Sequence, residues 1–102
     1  MAAAAQLALD DDGRCIDIAL GLGGVGDRAI RVDVSGLIGA APSPTAIADA
    51  VRAALADIDI GSDLHVSASY RRRVAVTLAI RALGDAMAEA RAQSGFAGET
   101  LQ

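Results

Sequence analysis

The stretch from Asp63 to Leu83 reads Asp-Leu-His-Val-Ser-Ala-Ser-Tyr-Arg-Arg-Arg-Val-Ala-Val-Thr-Leu-Ala-Ile-Arg-Ala-Leu, and it restricts the possible folds more than any other part of the chain. It joins a helix start to a basic first turn and an unusually wide apolar surface. Ser67 or Ser69 can cap the amino end by accepting a hydrogen bond from an orphaned backbone N–H. The Ala-rich and straight-chain residues that follow favour helix to about Gln93, and Gly84 weakens that helix without having to end it. At about 100° per residue, Val76, Ile80, Leu83 and Met87 form one apolar stripe, and Val74, Leu78 and Ala82 form a second on another side. A narrow polar strip of Arg73, Thr77 and Arg81 separates them. A surface helix needs one apolar face, so the second stripe points to a neighbour outside the local core or to a helix sandwiched within its own domain.

Upstream, the pattern is that of strands. Gln6 to Leu9 and Cys15 to Leu20 alternate partially on either side of Asp10-Asp11-Asp12-Gly13, which predicts a β-hairpin with a glycine in its turn. Ala29 to Val34 alternates again, placing Ile30, Val32 and Val34 on one face and Arg31 and Asp33 on the other. Pro42-Ser43-Pro44-Thr45 signals a helix start, with Ser43 as cap and Pro44 at the first helical position. Ile47, Val51, Ala54 and Leu55 then keep helical spacing as far as about Asp57. Ile58 to Val66 is expected to be a connection or short strand. Strands first and helices later, without β-α-β alternation, predict an α+β fold: an antiparallel sheet of three to four strands against two to three helices, the last one long.

The residues of this stretch also carry a family resemblance. Asp63, Ser67, Tyr70, Arg71, Arg72, Ala75, Leu78 and the closing Arg81-Ala82-Leu83 resemble the carboxy-terminal domain of the FAD-binding (medium) subunit of molybdenum hydroxylases, the group of carbon monoxide dehydrogenase and xanthine dehydrogenase. Asp12-Gly13, Gly23-Gly24-Val25 and Leu37-Ile38-Gly39 follow the same family order, so the resemblance runs from about Gln6 to Gln93. Where the family has a Pro after the Gly-Gly loop and a Glu before Leu-x-Gly, this chain has Gly26-Asp27-Arg28 and Asp33-Val34. Met1 falls in the middle of what would be the family's first strand, so residues 1–93 are expected to form an amino-terminally truncated domain, either a cut fragment or a separate small protein. Residues 94–102 are expected to be a flexible tail.

The resemblance implies an interaction domain beside flavin-binding domains, in an enzyme whose electrons pass from a molybdenum cofactor through iron–sulfur clusters to FAD. No residue of this chain would then be catalytic. The molybdenum cofactor and the clusters would sit on partner subunits, and FAD would be held mainly by glycine-rich loops of the preceding domains, so this chain alone should bind no cofactor. Its partners would be those flavin-binding domains and the other subunits, with Tyr70, Arg71, Arg72, Val74, Leu78 and Arg81 as interface candidates. The alternative is a free-standing small enzyme or ligand-binding homodimer that reuses the fold without flavin, with Asp63, His65, Tyr70 and Arg71 lining a pocket as acid, base and anion-binding groups.

Composition limits the remaining choices. A chain of 102 residues makes one domain and can bury roughly two thirds of its unfolded surface. Aromatic residues are only 2% while 53% of residues are hydrophobic, so the apolar area comes from Ala, Val, Leu and Ile and elements must approach closely. A net charge of −4, with basic residues clustered only at Arg71 to Arg73, argues against nucleic acid as a partner. No apolar run is long enough for a membrane span, and Met1 to Leu9 lacks the basic flank of a signal peptide, so a cytoplasmic location is expected.

Several motifs yield to simpler readings. Gly21-Leu22-Gly23-Gly24-Val25-Gly26 matches G-x-G-x-x-G, but the chain continues into a strand pattern where a dinucleotide site needs a helix start. Asp10-Asp11-Asp12 lacks the spread ligands and closing acid of a calcium loop, and one His with one Cys cannot assemble a zinc or iron site. The single Cys15 lies in a strand pattern and should be a buried, inert thiol. Arg71, Arg72 and Arg73 stand where the helix dipole disfavours positive charge, and Asp57, Asp59 and Asp63 are the expected compensation.

Overall fold

The computed structural model describes residues 1–25, 28–56, 58 and 67–100, with the side chains of residues 24, 25, 28, 68 and 93–100 excepted. Three strands, β1 (Ala2–Leu9), β2 (Cys15–Val25) and β3 (Arg28–Val32), precede a 3-10 turn (Ser35–Leu37), a first helix α1 (Pro44–Ala56) and a long second helix α2 (Ala68–Thr100). The sheet is antiparallel in the order β1-β2-β3. This is the expected α+β arrangement, at three strands and two α-helices.

The turn between β1 and β2 is built by Asp10. Its carboxylate accepts hydrogen bonds from the N–H groups of Asp12 and Arg14, both at 2.9 Å, and its own N–H donates to the Arg14 carbonyl at 2.8 Å. Gly13 supplies the left-handed residue that the reversal needs, at φ 80°. The acidic run is thus an Asx-stabilised turn. Both flanking strands are longer than the alternation predicts: β1 reaches back to Ala2, and β2 runs on through the glycine-rich stretch to Val25. Small residues hide the period-2 signal, and the β2–β3 register shifts within the glycine-rich stretch, between Leu22 and Val25.

Strand register sorts the side chains. Ala3 pairs with Leu22, Ala5 with Leu20 and Leu7 with Ile18, and Leu20 and Leu22 pair in turn with Val32 and Ile30. These residues share the face turned to the helices, where Leu20, Leu22 and Val32 are buried. Val34, expected as the last strand residue, lies two residues past the end of β3, at the start of the 3-10 turn, and is nevertheless buried. Asp33 causes the break, because its carboxylate accepts the Ser35 N–H at 3.0 Å and turns the backbone out of the ladder. The Ser35 hydrogen bonds hold the Asp33 carboxyl below its ordinary range.

Leu37-Ile38-Gly39 then clasps the sheet. The Gly39 N–H donates to the Cys15 carbonyl at 2.7 Å, and the Cys15 N–H donates to the Ala40 carbonyl at 2.9 Å. Gly39 adopts φ 91°, which explains the glycine at this position. Cys15 is fully buried beneath this contact, and burial pushes its thiol pKa up.

Both helices are capped by serine. The Ser43 Oγ accepts the Ala46 N–H at 3.1 Å and the Ser67 Oγ accepts the Tyr70 N–H at 3.2 Å, so of the two candidates for α2, Ser67 is the cap. α1 buries Ile47, Val51 and Leu55. α2 turns a row of Ala75, Ala79, Leu83 and Ala86 inward, the first three at 0% exposure. Ala75, Ala79 and Ala86 lie between the two predicted stripes, the first of which supplies Leu83, and the stripes become the flanks of a single broad face. Val76 and Ile80 pack on the core and Met87 is buried, while Val74, Leu78 and Ala82 are only half-buried. The polar strip Arg73, Thr77 and Arg81 is exposed as predicted. Gly84 leaves the helix unbroken, and α2 extends past Gln93 to Thr100, giving a molecule 58 Å along its longest axis. Ile58 sits at a bend, and the connection expected over Asp59 to Val66 lies outside the described residues.

Two substitutions test this packing. Leu83→Ala should lower the unfolding free energy by about 2–5 kcal/mol in urea titration, since the cavity opens in the centre of the helix–sheet contact. Cys15 should react with a thiol reagent at least about tenfold more slowly than a free cysteine at pH 8, with the difference erased in denaturant.

Candidate functional site

The basic cluster that opens α2 splits into three different environments. Arg72 is half-buried and reaches across to the end of α1, where its guanidinium donates to the Leu55 carbonyl through Nη1 and to the Ile58 carbonyl through Nη2, the latter at 2.9 Å. A positive charge disfavoured at the start of its own helix is favoured at the carboxyl end of another, where orphaned carbonyls carry the negative pole of the dipole. Arg73 is exposed and lies over the ring of Tyr70, 5.8 Å from the centroid, within cation–π range. Arg71 is half-buried on the side of α2 that bears Val74 and Leu78. The carboxylates expected to compensate these charges, Asp57, Asp59 and Asp63, lie outside the described residues.

Of the interface candidates, Tyr70, Val74 and Leu78 come together. With Arg73 and Thr77 they line a shallow groove of about 380 Å³ on the outer side of α2. Tyr70 is 52% exposed, a large value for the chain's one described aromatic side chain. Helical spacing puts exposed Arg81 on the same side. Arg72 faces the other way, toward α1, and its fork is committed to holding two helices together. Asp63 and His65, from the alternative pocket of Asp63, His65, Tyr70 and Arg71, lie outside the described residues.

A second groove, of about 750 Å³, runs between the helices and is lined by Arg52, Ser69, Arg72, Arg73, Val76 and Thr77. Arg52 was not singled out by the sequence, because a lone exposed arginine in mid-helix reads as ordinary surface; it makes a loose surface ion pair with Asp49 at 4.0 Å. Farther along, the Arg91 Nη2 donates to the Pro42 carbonyl at 3.3 Å, tying the second half of α2 to the segment before α1.

The glycine-rich run does not fit a nucleotide. Gly21 to Val25 lie within β2, whose residues pair with β1 and β3, and no helix begins there to face a pyrophosphate. Among the described residues no three His, Cys, Asp or Glu side chains gather as a metal site, and no helix is long and apolar enough to cross a membrane.

The sequence profile of the CO dehydrogenase flavoprotein C-terminal domain matches residues 1–86. The chain belongs to this family. Its fold is similar to that of quinoline 2-oxidoreductase from Pseudomonas putida 86, with a TM-score of 0.77 and 29% sequence identity over 86% of this chain. The chain spans only 31% of that protein's chain. No curated protein matches it.

Replacing Arg72 tests the helix-joining role. Arg72→Ala should lower stability by about 1–3 kcal/mol, since two charge-assisted hydrogen bonds are lost. Arg72→Lys should recover only part of that loss, because an ammonium cannot reproduce the planar fork. Equilibrium unfolding of the three chains, wild type and the two variants, measures both effects.

Proposed function

We propose that this chain is an interaction domain of the FAD subunit of a molybdenum hydroxylase, and that it supports electron transfer from iron–sulfur clusters to FAD by helping to hold the subunit together. The family match over residues 1–86 carries this reading. The fold similarity to a quinoline 2-oxidoreductase supports it. In this role the chain performs no bond-making step. Its work is positional: a rigid helix–sheet body presents Tyr70, Val74, Leu78 and Arg81 to a neighbouring polypeptide of the assembly, with Arg71 beside them. Tyr70 suits such a surface, since a tyrosine offers a large apolar ring with a polar tip at low entropic cost. FAD belongs to the other portion of the subunit, and the molybdenum cofactor and iron–sulfur clusters to partner subunits, in the cytoplasm.

The reading is tested by reconstitution. Mixing the chain with its cognate flavin-binding polypeptide and with the iron–sulfur and molybdenum subunits should yield one complex by sedimentation and faster flavin reduction by substrate than without the chain. Tyr70→Ala combined with Arg81→Glu should weaken assembly at least about tenfold while leaving the circular dichroism spectrum unchanged. A well-folded wild-type chain that stays monomeric in the mixture would overturn the proposal.

A further inference from the structure

Where the second half of α2 passes the entry to α1, a small cleft of about 180 Å³ opens between them. Pro42, Ile47 and Met87 back it and are buried, so its shape is set by the packed body of the domain. Pro44, Ile80 and Ala88 line it nearer the surface, and Gly84 presents bare helix backbone one turn before Ala88. A side chain at Gly84 would meet nothing within 4 Å, and its φ is not left-handed. Neither close packing nor backbone geometry therefore asks for a glycine in mid-helix, and its effect is to leave the α2 wall of the cleft open. Met87, Ala88 and Arg91 lie beyond residues 1–86, so the residues shared with the family do not build this cleft by themselves.

The cleft is positively polarised from both sides. Arg91 lines it, and the hydrogen bond from Nη2 to the Pro42 carbonyl at 3.3 Å holds the guanidinium there while using one of its five N–H donors. The residues three and four positions away along α2 are Met87, Ala88, Ser94 and Gly95, so no carboxylate stands where a helix would pair one with Arg91. Asp85 and Glu89, the acids of this half of α2, do not line the cleft. On the other side Pro44 is the first residue of α1, whose first turn carries no acidic residue to meet the positive pole of the helix dipole. An apolar hollow thus lies between an arginine and a helix start.

We propose that this cleft binds a small monocarboxylic acid whose apolar body is the size of a benzene ring, with its carboxylate on Arg91. Volume decides the size of the ligand. The cleft is close to the apolar cavities of about 150 Å³ that take up benzene, and well below the roughly 300–1,000 Å³ of pockets for larger ligands, so a flavin or a nucleotide does not fit. Charge decides the rest. A guanidinium fork matches the two oxygens of a carboxylate, while the apolar walls offer no partner to the further charges of a phosphate ester or the hydroxyls of a sugar. The site is complete in the free chain and is independent of the assembly proposed above.

Benzoate titrated into the full chain and followed by amide NMR tests the site. It should bind saturably with a Kd of about 1 mM or below and shift the amide resonances of Ile47, Gly84 and Ala88. Benzyl alcohol, of similar size but uncharged, should bind at least about tenfold more weakly, and so should benzoate to Arg91→Ala. Gly84→Leu fills the cleft with a better helix former, so benzoate binding should be lost while the urea midpoint falls no lower than that of the wild type. No saturable shift in the wild type with benzoate at roughly ten times that concentration would overturn the proposal. Equal affinity for benzoate and benzyl alcohol would overturn the role of the carboxylate, and binding that survives in folded Gly84→Leu would overturn the place of the site.

Discussion

The structure depends on how closely α2 can approach the sheet. Ala75 and Ala79 are fully buried at the centre of the helix face, and a methyl group is all that separates the helix backbone from its neighbours there. With so few aromatic side chains, a domain of this size cannot fill wide gaps between layers; it closes them. Leu20 and Leu22 from β2, Val51 and Leu55 from α1, and Leu83 from α2 fill what remains. The breadth of the apolar face follows from the same constraint. A helix drawn in on its narrowest side brings both flanks partly under cover, so Val76 and Ile80 join the core while Val74 and Leu78 stay half-exposed along the groove beside Tyr70.

The helix starts were the most legible part of the chain. Ser43 before α1 and Ser67 before α2 act through hydrogen bonds to residues three positions on, and Pro44 fits the first position of α1, so local chemistry was enough to place both starts. The turn at Asp10 to Gly13 was legible for the same reason. Strand lengths were not, because Ala2 to Ala5 and Gly21 to Gly24 have no contrast between polar and apolar positions from which to read a period of two. The inward row of Ala75 and Ala79 was hidden likewise: alanine looks neutral in a periodicity argument, and only the approach of the sheet makes it core. The role of Arg72 was half legible. Its need for compensation followed from the helix dipole, but the backbone carbonyls of Leu55 and Ile58 that supply it are brought there by the packing of the end of α1 beside the start of α2.

The candidate site divides in the same way. The family-like motif and the second apolar stripe together picked out Tyr70, Arg71, Arg72, Val74, Leu78 and Arg81; helical geometry gathers Tyr70, Val74, Leu78 and Arg81 on one side of α2, whereas Arg72 turns to the end of α1. The helix-free face of the sheet was not legible, because alanine and glycine give no polar contrast and the pairing that sets Ala4 beside Gly21 and Gln6 beside Ala19 appears only with the register.

The pair of backbone hydrogen bonds linking Cys15 to Gly39 and Ala40 closes the chain on itself across the whole span that includes β2, β3 and the 3-10 turn. The first residue of the central strand is thereby buckled to the segment that leads into α1. Freeing the first residue of β2 therefore also frees the approach to α1, which ties the fraying of the sheet at this end to that of the segment leading into the helix.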